Sequence, residues 1–250
     1  MKTIFISIAT IFIFLFSSSA QSLDKMVNEV QKNVEKEVNK YTKKKKKKAL
    51  TNDEIIRGLK EALHVGTNNS SSAASKVDGF YKNPLVTIPF PAEAEKIKNT
   101  VVNLGMQKQV NDFVMTMNRA AEEASKEAAP VFLNAITSMS IQDGFGILKG
   151  ADNAATNYLQ NKTSSELTAK FLPIVKNAID KVQVTKYWNP IINTYNRVGG
   201  VEKQHPNLEQ YITIKTLEGL FKLIAGEEKK IRTDPIARVS DLLKKVFGSK

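Results

Sequence analysis

"QKQVNDFVMTMNRAAEEASKEAAP", residues 107–130, is the stretch whose reading decides the class of fold. It reads as a helix running up to Pro130, a residue that lacks an amide donor and breaks or kinks the helix. Ala120, Ala124 and Ala128 recur at every fourth position, with Ala121, Ser125 and Ala129 beside them. Residues four apart share one helix face, and a face this small lets another helix come close. Arg119 reaches Glu122 and Glu123 at i+3 and i+4, a pairing worth only about 0.2–0.5 kcal/mol on a helix surface. A close-packed central helix is therefore expected, with Asn118, Arg119 and Glu122 either as surface ion pairs or facing a cavity.

The same periodicity extends in both directions. Downstream, "VFLNAITSM" continues past Pro130, Ser140 can cap "IQDGFGILKG", and Asp152 can cap "NAATNYLQNK". Thr163 with Glu166 has the spacing of a capping box for "SSELTAKFLPIVKNAIDKV". "KYWNPIINTYNRV" ends at Gly199 and Gly200 and is followed by "HPNLEQYITIKTLEGLFKLIAGEEKKIR". In the last helix, "DPIARVSDLLKKVFG", Asp234 is the cap and Pro235 the first helical residue. Upstream, "AEAEKIKNTVVNLG" closes on Gly105. "LVTIPFP", residues 85–91, has β-branched residues and two prolines and reads as an extended piece or a short hairpin arm. "TNNSSSAASKVDGFYKNP" permits either a short helix or a loop. "LTNDEIIRGLKEALHVG" opens with the capping-box pair Thr51 and Glu54 and has Gly66 as its stop. The expectation is all-α: one multi-helix, bundle-like domain over 49–250 with a short extended, proline-containing segment.

The N-terminus has a different character. "MKTIFISIATIFIFLFSSSA" places Lys2 before an uncharged apolar run and ends in small residues. That order is the pattern of a secretory signal covering residues 1–20. The run is shorter than the ~20 apolar residues that span a bilayer, so no transmembrane segment is expected after cleavage. Residues 21–48 carry ten lysines against four acids, six of those lysines being Lys43, Lys44, Lys45, Lys46, Lys47 and Lys48. From Ala49 onward 26 bases face 21 acids, so half of the net charge of +12 belongs to this short segment. Leu23, Val27, Val30, Val34, Val38 and Tyr41 make one apolar stripe on an otherwise charged helix. That helix can pair with another chain or dock on its own domain.

Motifs for chemistry are sparse. The chain has no cysteine, which excludes disulfides, thiolate metal sites and a lipidated N-terminal cysteine. His64 and His205 are the two histidines, and neither stands in a metal-binding helix pattern. There is no nucleophile elbow or phosphate-binding glycine loop, and no cofactor or metal is expected. "KGADNAATNYLQNKT", residues 149–163, concentrates Asp152, Thr156 and Tyr158 within two helical turns. In "IAGEEKKIRTDP" Glu228 and Arg232 share a helix face, with Asp234 just beyond. An arginine held between those two carboxylates would set the angle of a helix–helix corner.

Taken in order, "GLKEAL", "DGFYKNPLVTIPFP", "MNRAAEEASKEAAPVF", "ILKGADNAATNYLQNKT" and "YITIKTLEGLFKLIAGEEKKIRTDPIARVSDLLKKVFG" resemble a bacterial envelope family known as domain of unknown function 4197. The resemblance covers about Leu50 to Gly248. It implies an all-helical protein exported to the periplasm of Gram-negative bacteria, and carries no established activity. Relatives are often lipoproteins, whereas this chain has the lysine-rich helix in place of the cysteine.

Three functions follow as expectations. The first is a non-enzymatic envelope protein, binding a protein partner or a small apolar ligand within the bundle. The second is a hydrolase or lyase using two of Glu122, Asp143, Asp152 and Glu228, which would have to converge in a pocket. The third is binding of an anionic membrane surface by Lys43–Lys48, at about 1 kcal/mol per lysine. Nucleic acid is not expected, since no aromatic residues are interleaved with those lysines to stack bases.

Overall fold

The computed structural model describes residues 27–37, 49–138, 140–142 and 144–248. The chain divides into two compact units, Met1–Ala49 and Leu50–Lys250. The signal expected over 1–20 and the lysine run 43–48 lie outside the described residues. Within the first unit residues 27–37 form a helix, α1, exposed along its whole length.

The second unit is helical, and among the described residues there is no strand. Its helices are α2 (Asn52–Ala74), α3 (Glu95–Asn103), α4 (Gln107–Ser125), α5 (Ala128–Ser138), α6 (Gly144–Lys149), α7 (Ala154–Lys181), α8 (Val184–Arg197), α9 (Leu208–Thr233) and α10 (Asp241–Phe247). The longest, α7 and α9, lie side by side; α2 packs on the other side of α9, and α4 sits against α7 and α8. The core takes Ile55, Leu59 and Leu63 from α2, Phe113 and Met117 from α4, Leu167 and Phe171 from α7, and Ile212 and Ile224 from α9. Ala120, Ala121, Ala124, Ser125 and Ala128 are all buried, as the small-residue face requires. The extended segment 85–91 forms no strand; it delivers Val86, Ile88 and Phe90 to the core. Phe90 there meets the Phe113 ring edge-on at 5.4 Å, and Phe113 meets Trp188 of α8 at 4.8 Å.

Several boundaries differ from the local reading. The Thr51 cap is as expected: its hydroxyl accepts from the Glu54 amide while the Glu54 carboxylate accepts from the Thr51 amide. Gly66, however, does not stop α2. The helix continues for two more turns because Gly66, Thr67, Ser70 and Ser71 are buried. At Gly66 the backbone is close enough to α9 that an added Cβ would meet Glu227 Cβ at 3.3 Å. The stop comes at Ala74, before Asp78 turns the chain with φ 67°. Likewise Thr163 caps nothing. Its hydroxyl donates to the Leu159 carbonyl one turn back at 2.6 Å, so the two expected helices are the single α7. Helix α4 ends at Ser125, not Pro130, and Pro130 falls in the first turn of α5, where no amide donor is needed. Asp234 caps only a 3-10 turn, Pro235–Ala237, and α10 starts afresh with Ser240 as its cap. Helix α6 starts at Gly144, beyond the reach of Ser140 as its cap.

Candidate functional site

Six of the polar residues singled out in the sequence assemble into two separate knots: Thr156, Glu228 and Arg232 in one, Asn118, Arg119 and Glu122 in the other. The first lies where α6 ends and α7 begins. Asp152 is exposed and does not cap α7, and Asn153, the cap residue, makes no capping bond either. The cap comes from α9. Glu228 Oε1 accepts from the Ala155 amide at 3.0 Å, and Oε2 accepts from the Thr156 amide at 2.7 Å and the Thr156 hydroxyl at 2.6 Å. One turn on, Arg232 donates through Nε to Glu228 Oε1 at 2.8 Å. Its terminal nitrogens donate to the carbonyls of Leu148 at 2.8 Å and Ile147 at 3.1 Å, the last turn of α6. The guanidinium also sits 5.5 Å from the centre of the Phe247 ring of α10.

The electrostatics of this junction match charge to helix ends. The start of α7 carries partial positive charge and receives a carboxylate; the end of α6 carries partial negative charge and receives a guanidinium. Both side chains are buried, at 0% exposure for Glu228 and 1% for Arg232. Asp234 takes no part: it is exposed, and its carboxylate accepts from the Ile236 amide at 2.9 Å. The second partner expected for Arg232 is thus replaced by two backbone carbonyls. A carbonyl pair at a helix end accepts from the planar fork without adding a second buried charge.

The second knot pins the segment after α2 onto α4. Asn118, fully buried, donates to the Ile88 carbonyl and accepts from the Ile88 amide, both at 2.8 Å. The extended segment thereby finds in one side-chain amide the pairing that a neighbouring strand would give. Glu122 Oε1 accepts from the Phe80 and Tyr81 amides at 3.1 Å, and Oε2 accepts from Arg119 at 2.6 Å. Arg119 also donates to Asp78 at 2.6 Å and lies 5.5 Å from the centre of the Tyr81 ring. Asp78 is held below the usual carboxylate range by the ammonium of Lys82 and by Arg119.

The other candidates stand apart. Tyr158 donates its hydroxyl to the Ser140 carbonyl and lines an open cleft of about 320 Å³ with Lys162 and Glu166. Asp143 and Lys43–Lys48 lie outside the described residues. His64 and His205 are both exposed. Among the described residues no three His, Asp or Glu side chains are grouped to hold a metal ion, and no helix is long and apolar enough to cross a membrane. The two knots share no hydrogen-bond partner.

A family model described as "Protein of unknown function (DUF4197)" matches residues 49–248. The chain belongs to the DUF4197 family. No curated protein and no solved structure matches it. The matched residues of this DUF4197 protein contain both knots in full. Asp78 and the α6 carbonyls were not singled out from sequence. The carbonyls carry no side-chain signal, and Asp78 declares itself only through its left-handed backbone.

Proposed function

We propose that this DUF4197 protein is an exported envelope protein whose helical domain is a non-catalytic scaffold that binds a protein partner. One observation carries the reading: the carboxylates best placed to do chemistry are already occupied. An ionised carboxylate offers about four lone-pair sites, and Glu228 meets two amides, a hydroxyl and an arginine. Glu122 meets two amides and an arginine, and its remaining site is buried with the side chain. A general base needs a free lone pair within reach of a substrate proton. Export rests on the signal-like residues 1–20 and on the family resemblance.

Two experiments test the two halves. Residues 1–20 fused to a reporter that is active only outside the cytoplasm should yield signal, and a silent fusion would overturn export. The purified protein, assayed on chromogenic esters, phosphoesters, amides and glycosides, should show no turnover dependent on these carboxylates. Turnover that disappears in Glu122→Gln or Glu228→Gln, with folding intact, would overturn the scaffold reading.

A further inference from the structure

Helix α6 is held in the domain by side chains that are not its own. It is six residues long, and only Gly144 and Leu148 of it are buried. Phe145 is 42% exposed, and Lys149 is exposed with no ion-pair partner. Isolated helices shorter than about 12–15 residues are marginal in water, so α6 depends on its grips. There is one at each end. At the start, Asn52 of α2 accepts from the Gly144 amide at 3.2 Å. At the finish, Arg232 of α9 donates to the Ile147 and Leu148 carbonyls. Beyond it Gly150, Ala151 and Asp152 are all exposed.

The helices around α6 do not depend on it in return. Helix α2 has its own cap in Thr51 and Glu54, and α7 has its cap in Glu228. The bond from Arg232 Nε to Glu228 is made without α6, so the buried pair survives its departure. Proteins open locally, in small cooperative units, where few apolar contacts hold a segment down. We propose that α6 is a latched strap. It opens as a unit while the rest of the Leu50–Lys250 unit stays folded, and its opening uncovers the guanidinium of Arg232. The inference concerns motion within this unit and stands apart from the scaffold reading.

The test is amide hydrogen exchange of the purified full chain, read by NMR in water and in low urea. The amides of Leu148 and Lys149 should exchange at least about tenfold faster than those of Ile212 and Ile224 in α9. Their rates should barely respond to urea, because a small opening exposes little surface. Asn52→Ala should speed exchange in α6 by on the order of tenfold, roughly the worth of one hydrogen bond, and leave α9 unchanged. Asn196→Ala removes a similar grip elsewhere, on the amide and carbonyl of Gln204, and should leave α6 unchanged. Uncovering is read separately with phenylglyoxal, which should modify Arg232 at a rate that rises in Asn52→Ala in step with α6 exchange. Exchange of α6 at the rate and urea slope of α9 overturns the independent opening. So does Asn52→Ala speeding every helix equally, or Asn196→Ala speeding α6 as much. An Arg232 that stays unmodified while α6 exchanges overturns the uncovering.

Discussion

Arg232 is held at both ends of its function: a carboxylate on its own helix and two carbonyls from another. Arg232→Ala leaves Glu228 buried with its charge uncompensated and strands the end of α6. Breaking a buried pair from one side costs about 3–5 kcal/mol, so denaturant unfolding should show a loss of that order. Arg232→Lys should recover only part of it, because an ammonium cannot present a planar fork to a carboxylate and two carbonyls together. A loss below about 0.5 kcal/mol, the scale of ordinary surface changes, would remove the architectural role assigned to the residue. The sequence exposed the i,i+4 pairing of Glu228 and Arg232, because that pairing is local. It could not expose what the pair holds. Ala155 and Leu148 lie more than seventy positions away, and they take part through backbone atoms that every residue has.

Elements were legible where their ends are set by neighbours in sequence, as at Thr51, and differed where packing extends or replaces a local signal, as at Gly66 and Thr163. Helix α7 offers a test of how far packing overrides propensity. Pro173 sits exposed within it, where it removes the amide that would donate to the Ala169 carbonyl. Pro173→Ala should restore that bond and raise stability by about 0.5–2 kcal/mol, the usual yield of such a repair, read as a higher denaturant midpoint. The contact between α2 and α10 gives a pH test. Glu54 is lowered from 4.5 to about 2, first by its bond from Lys245 and next by the Thr51 amide. A carboxyl whose folded pKa lies below its unfolded one contributes fully above pH 4.5 and loses that contribution as pH falls towards about 2. Glu54→Gln should therefore flatten the fall in thermal midpoint across that window, and a carboxyl titration by NMR should place Glu54 near its lower end.

For the whole molecule, the all-helical class was legible from periodicity over long windows, and the arrangement of helices was not, since α2 finds its main neighbour in α9, far along the chain. Removal of residues 21–48 should leave cooperative thermal unfolding of the Leu50–Lys250 unit intact, with its midpoint shifted by a few degrees; loss of the transition would make α1 part of that core. The contact of α2 with α9 and α10 also bears on timing during synthesis. The ribosome adds about 5–20 residues per second, so α2 emerges on the order of ten seconds before Leu208 does. A nascent chain that ends before α9 holds α2 without its largest partner, and α7 without the carboxylate that caps it. The last forty or so residues made thus close the domain, and until they arrive α2 lacks the helix it packs on most extensively.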